Sequence, residues 1–210
     1  LGSFRSEDGN SAKEVWLRLP LVVIYIVGMA LAHPNAVFSY GVILAPYVVV
    51  FASRYASVMG ASRNVAKWIV PLISVALIVG VWLAIYNMPF VSGVVATVWS
   101  AISSPLSALG HAAFLGVANH PIQVLIPLFT FFGIAWILGR GEHRWVAISY
   151  VIVIAIYVAD AGSDGLLKHL LSGFWYTDYN RTGAMVAFMA SVLACLGVKA
   201  CVCMFNASRI

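Results

Sequence analysis

The chain has 210 residues, of which 62% are hydrophobic and only 9% charged, against about 25% charged in soluble domains. A water-soluble core of this length cannot hide so much apolar surface, so a bilayer is implied. The net charge of +5 comes from Lys and Arg residues scattered between apolar runs, which suits membrane-flanking loops and argues against a nucleic-acid partner.

The first residues, Leu1 to Asn10, read as a loop, with no initiator Met and no basic-then-apolar signal segment. We expect a piece of a longer chain, with 1–14 as a cytoplasmic lead-in. Six apolar runs then approach the roughly 20 residues that a spanning helix needs. They are Val15–Ala32, Val37–Ala52, Trp68–Tyr86, Pro121–Leu138, Trp145–Ala159 and Thr182–Cys201. The second and fifth are short and should extend into their flanks. With the amino terminus inside, only Lys168 and Arg181 of the 12 basic residues fall outside, as the positive-inside rule demands. Arg18 and Lys199 lie within helix ends, where long side chains snorkel. Trp16, Trp68, Trp136 and Trp145 fall near the inner boundary, as an aromatic belt would.

These runs predict an all-α, polytopic transmembrane helix bundle of about six spans with both termini cytoplasmic. The membrane domain is 15–205, with outer segments 87–120 and 160–181, and 206–210 is a cytoplasmic tail. Asn206-Ala207-Ser208 fits a glycosylation sequon, but on the inner side. Cys195, Cys201 and Cys203 have no metal-ligand spacing and read as small apolar helix residues.

Segment 87–120 contains no Asp, Glu, Lys or Arg. Val91, Val94, Val95, Val98, Trp99 and Ile102 follow helical spacing and predict an interfacial or dipping helix, broken at Pro105. Leu106, Leu109 and Phe114 share a face in a second stretch. This segment is either a lid of packed apolar helices or a lipid-binding surface. Ala32-His33-Pro34 and Asn119-His120-Pro121 form a weak echo, each opening an outside-to-inside helix, where Pro suits the first turn.

Segment 160–181 holds the outer acids Asp160, Asp164 and Asp178, both outer basic residues, and the aromatics Phe174, Trp175, Tyr176 and Tyr179. If helical, Asp160, Asp164 and Lys168 share one face, and Asp164–Lys168 is a favourable pair. Asp160 ends an apolar helix, where an ionisable group is either functional or a solvated helix end. In the run from Phe174 to Arg181, aromatic faces can stack on sugars or headgroups. A carboxylate can take a proton or hold a divalent cation, and an arginine fork fits phosphate oxygens. The plainer reading is an interface belt with an Asp178–Arg181 ion pair and Asp178 as N-cap. His33, His111, His120 and His169 are all expected outside, and His143 lies in an inner turn. No glycine-rich phosphate loop, Cys-x-x-Cys pair or Gly-x-Ser-x-Gly elbow is present.

Several stretches carry a resemblance. They are Ala30-Leu31-Ala32-His33-Pro34-Asn35-Ala36-Val37-Phe38, Asn119-His120-Pro121, Arg144-Trp145, Ala161-Gly162-Ser163-Asp164-Gly165, and Gly173-Phe174-Trp175-Tyr176-Thr177-Asp178-Tyr179-Asn180-Arg181. Together they resemble a family of uncharacterised bacterial multi-span membrane proteins, mainly actinobacterial, with a Gly-x-Trp-Tyr-x-Asp-x-x-Arg element before a late helix. The wider analogy is to GT-C glycosyltransferases, which use a polyprenyl-phosphate-linked sugar at the outer membrane face. The resemblance implies a bacterial plasma-membrane location and an envelope role. GT-C enzymes place a key acid in their first outer loop; here that loop is His33-Pro34-Asn35-Ala36, without an acid. A glycosyltransferase reading therefore requires that loop to lie in an amino-terminal part beyond these residues, or fails.

The leading expectation is sugar transfer from a polyprenyl-phosphate donor. Asp178 would be the acid/base or cation-binding carboxylate, with Asp160 and Asp164 as further candidates. Arg181 would contact phosphate. Trp175, Tyr176, Lys168 and His169 would bind substrate, and membrane lipid would be a constant partner. The alternatives are a transporter or flippase of lipid-linked precursors, which needs ionisable groups deep in the bilayer, and a structural subunit whose 160–181 loop tolerates loss of charge.

Overall fold

The computed structural model describes residues 19–207 apart from 26, 30, 32 and 142. Among the described residues all regular structure is helical. The chain divides into two compact units, Leu1–Tyr40 and Gly41–Ile210. In the first, α1 covers Leu19–Met29, and α2 (Pro34–Val58) begins at Pro34. The amino-terminal lead-in and the start of the first expected span lie outside the described residues.

In the second unit, α2 continues to Val58. A π-helical segment, Val65–Ile69, leads into α3 (Val70–Tyr86). After one turn of α4 (Ser92–Val95) come α5 (Pro105–Ala113), α6 (Leu125–Arg140), α7 (Arg144–Gly162), α8 (Leu166–Ser172) and α9 (Tyr179–Ala207). Four stretches are long and apolar enough to cross a membrane: Pro34–Val58, Val65–Tyr86, Arg144–Gly162 and Tyr179–Asn206. Leu19–Met29 and Leu125–Arg140 are apolar but shorter. The protein is thus an integral, multi-span, all-α membrane bundle with four to six apolar helices. The two short runs lengthen as expected, to 25 residues in α2 and 19 in α7.

Packing is uneven. α7 is the central helix, buried over most of its length, whereas α3 buries no residue. α3 is half-buried along one stripe and is pinned at its carboxy-terminal end. Trp82 Nε1 donates to the Leu170 carbonyl at 2.9 Å, and the Trp82 ring meets Phe174 edge-on at 4.6 Å. α6 and α9 touch backbone to backbone. A Cβ on Gly133 would collide with the Leu193 carbonyl, and one on Gly197 with the Phe129 carbonyl. Thr130 Oγ1 also donates across the pair to the Ala190 carbonyl at 3.0 Å. Small residues suit such contacts, because lipid supplies no hydrophobic drive between helices.

Three sequence expectations need correction. The helix expected from Val91 to Ile102 is one turn, Ser92–Val95, and residues 97–104 are not helical. Their N–H groups are taken by other elements. Trp99 N donates to Thr177 Oγ1 at 2.7 Å, Ala101 N to Asp164 Oδ1 at 3.0 Å, and Ile102 N and Ser103 N to the Ala161 carbonyl at 3.0 and 3.1 Å. These bonds replace helical ones, so the apolar spacing is not realised as a helix. Pro105 starts a helix rather than breaking one. It sits at the first position of α5 behind Ser104, whose side chain accepts from Ser107 N.

Pro34 does open α2, but Pro121 does not open α6, which begins at Leu125. Ala118 and Asn119 have φ of 54° and 61°, and Gln123 N donates to the Phe114 carbonyl. The chain through Pro121 is thereby held outside helical geometry. α7 runs between the two ends of the unit. The loop end carries residues 97–104 and 163–178, and the turn end carries the α6–α7 turn.

Candidate functional site

The last turn of α7 is buried from Ala159 to Gly162. Gly162 is required there, because a Cβ would lie 2.7 Å from Pro105 Cα. The helix then stops. Ser163 is extended, and Gly165 has φ of +112°, which a residue with a side chain rarely adopts. This break turns α8 back against the end of α7. Asp160, Asp164 and Lys168 therefore do not share one helix, yet they still meet.

Asp160 and Lys168 have fully buried side chains. Lys168 Nζ lies 3.8 Å from Asp160 Oδ1 and 3.8 Å from Oδ1 of the largely exposed Asp164. Asp160 is not a solvated helix end. Thr182 Oγ1 donates to its Oδ2 at 2.7 Å, and Ser172 Oγ lies 2.9 Å from its Oδ1. The carboxylate is thus held by hydroxyls from α8 and α9. Lys168 Nζ makes no hydrogen bond to any described residue. Removing two charges from water is costly, and geometry this loose at the ammonium repays only part of that cost.

The Trp-Tyr-Asp-Arg element splits between interior and surface. Phe174 and Trp175 are buried, packed against Trp82 at 4.6 and 5.9 Å between ring centroids. Gly173 makes room for the Tyr86 ring, whose Cε2 would lie 3.0 Å from a Cβ there. Tyr176 and Thr177 both have positive φ, 64° and 50°. For a β-branched residue that is a strained conformation. It is held by Thr177 Oγ1, which accepts from Trp99 N.

Asp178 sits just before α9 and does what an N-cap does. Its Oδ1 accepts from Asn180 N and from Asn180 Nδ2, both at 2.9 Å. Its Oδ2 accepts from Arg181 Nε at 3.2 Å. The Arg181 guanidinium lies 4.6 Å from the centre of the Tyr176 ring. Arg181 is half exposed, and its two Nη groups hydrogen-bond to no described residue.

The structure therefore forms two neighbouring groups from the expected residues. One is the buried Asp160–Lys168 pair with Asp164 at its rim. The other is the surface trio Tyr176, Asp178 and Arg181. Thr182 follows Arg181 directly and joins the two through the first turn of α9. Trp175 lies in the packing beneath, and His169 is half-buried on α8. Sequence reasoning missed Ser172, Thr177 and Thr182. The available signal was spacing: Ser172 is four residues after Lys168 and Thr182 four after Asp178.

Among the described residues no group of three or more His, Cys, Asp or Glu could hold a metal ion. The Lys168 ammonium lies 3.8 Å from both Asp160 and Asp164. His33 and His120 are exposed, while His111 Nδ1 is buried with no hydrogen-bond partner among the described residues.

No curated protein and no solved structure matches the chain. One family model does, over residues 4–209. That match covers nearly every element described above, including both groups at the loop end. The chain belongs to the family described as "Family of unknown function (DUF6541)".

Proposed function

We propose that this is the membrane domain of a glycosyltransferase that uses a polyprenyl-phosphate-linked sugar, with its site at the loop end. The supporting observation is the state of Arg181. Its Nε is fixed by Asp178 and its face rests on Tyr176, while its Nη edge is free and exposed. A pre-oriented guanidinium edge is a good phosphate contact. The transfer itself needs a base and a leaving group. The acceptor oxygen attacks the anomeric carbon, and the bond from that carbon to the phosphate oxygen breaks. The lipid phosphate leaves with the electron pair against Arg181, and the acceptor proton goes to a carboxylate.

Asp178 is the first candidate for that carboxylate, and its three accepted hydrogen bonds would have to loosen. Asp164 is the more open alternative, with its side chain 66% exposed. Asp160 acts from within, by holding Lys168 and the start of α9. The test is lipid-linked sugar and envelope glycan analysis in cells carrying Arg181→Ala, Asp178→Asn or Asp164→Asn. Loss of a glycan, with the sugar-loaded lipid accumulating, is expected for Arg181→Ala and for one of the two carboxylate variants. Unchanged glycans in all three, with normal membrane insertion, would sink the assignment.

A transporter or flippase of lipid-linked precursors is the second reading, supported by the fully buried Asp160–Lys168 pair. Buried ionisable pairs in membrane helices often mark substrate or ion pathways. Proteoliposomes separate the two: a flippase moves labelled lipid phosphate between leaflets without any acceptor sugar.

A further inference from the structure

At the turn end, opposite the residues discussed so far, we propose a second site that takes the phosphate head of an anionic phospholipid, bound by Arg54 and His143 over an aromatic floor. A cavity of about 370 Å³ opens there, lined by Tyr47, Val50, Phe51, Arg54, His143 and Trp145. That volume lies within the range of small-ligand sites. Tyr47 and Trp145 meet edge-on at 5.3 Å and form one wall.

The charges at this end differ in what they do. Arg144 Nη2 donates to the Leu138 carbonyl at 3.3 Å, closing the end of α6. Arg140 lies over the Trp136 ring at 3.8 Å, and Lys67 over Trp68 at 5.0 Å. The side chains of Arg54 and His143, by contrast, make no hydrogen bond or ion pair among the described residues. His143 stands at the N-cap position of α7, yet its side chain makes no capping bond. Its backbone is left-handed, with φ of 55°, as the tight turn after Gly141 requires. Between Glu14 and Asp160 the sequence contains a single acid, Glu142. The local balance therefore favours an anion.

The lining also decides between a free anion and a lipid. Val50 and Phe51 border the same cavity as Arg54, and Phe51 and Tyr47 are about half exposed on a membrane-spanning helix. A ligand that fills the site must be anionic at one end and apolar at the other. Basic pockets between membrane helices at headgroup depth bind such lipids. The site is independent of the glycosyltransferase reading.

The test uses the purified chain in neutral detergent, with dioleoyl phosphatidylglycerol, dioleoyl phosphatidylcholine or inorganic phosphate added stepwise and thermal unfolding as the readout. Phosphatidylglycerol is expected to stabilise the protein saturably, and the other two much less. Arg54→Ala should weaken the apparent affinity about fivefold, the share of one cationic contact at a membrane surface. Arg54→Lys should recover part of it. His143→Asn, which keeps a residue tolerant of the left-handed backbone, should also weaken binding. Arg63→Ala, an exposed cation outside the lining, should not. The proposal is overturned if Arg63→Ala weakens binding as much as Arg54→Ala, or if neither Arg54→Ala nor His143→Asn weakens it. It is also overturned if the two lipids act alike, or if inorganic phosphate at equal concentration gives the same shift.

Discussion

Asp160 and Lys168 are both fully withdrawn from water, and that sets the cost of changing either one. Removing one member of a buried pair strands the other charge, a loss of about 3–5 kcal/mol. Removing both charges together strands neither, and replacing a whole buried pair is often nearly neutral. Lys168→Met is therefore expected to lower the unfolding free energy in detergent by about that amount, and Asp160→Asn with Lys168→Met to restore most of it. A double-mutant cycle read by thermal or denaturant unfolding checks this. Independent, additive losses would show that the two charges do not act as a pair. Part of this was legible in the sequence. The i,i+4 pairing of Asp164 with Lys168, the N-cap role of Asp178 and its ion pair with Arg181 follow from local spacing, and the structure contains all three. The burial of Asp160 was not legible, because Thr182 and Ser172 reach it from other helices.

α6 and α9 show how far an element depends on its partner. Neither apolar run announces that Gly133 and Gly197 face one another. In the structure each leaves no space for a methyl group against the opposing backbone. Gly133→Ala or Gly197→Ala must push the helices apart, and overpacking of this kind costs about 1–3 kcal/mol. Gly80→Ala, where no atom lies within 4 Å of the added carbon, should leave stability unchanged or raise it slightly, since alanine is the better helix former. Equal unfolding temperatures for all three variants would contradict the contact. Residues 97–104 teach the opposite lesson. Their apolar spacing suits a helix, but four of their N–H groups are bonded by Thr177, Asp164 and Ala161. Periodicity reports what a segment could bury, and hydrogen bonds from elsewhere decide what it forms.

For the whole molecule, orientation decides which compartment each end of α7 meets. The loop end and the turn end are separated by the length of α7, a 19-residue helix of roughly 28 Å at 1.5 Å per residue. The distribution of Lys and Arg predicts that the turn end faces the cytoplasm. Single cysteines at Ser100 and Ser62, both exposed, test this in a background lacking Cys195, Cys201 and Cys203. An impermeant thiol reagent added to intact cells should label Ser100→Cys and not Ser62→Cys. The reverse pattern would put the Tyr176–Asp178–Arg181 group in the cytoplasm and remove the outer-face reading of the transfer.

By itself the sequence determined the class of the molecule. Composition and the length of the apolar runs leave a helical bundle in a bilayer, because backbone polar groups in lipid must be satisfied within each helix. It also determined the local pairs, whose partners lie within one helical turn. Only the tertiary structure decided which ionisable groups leave water, where helices touch backbone to backbone, and that Arg181 keeps a free edge while Lys168 is enclosed. Those outcomes depend on contacts between separate elements. Such contacts are set by how α7, α8 and α9 pack, and no local spacing encodes them.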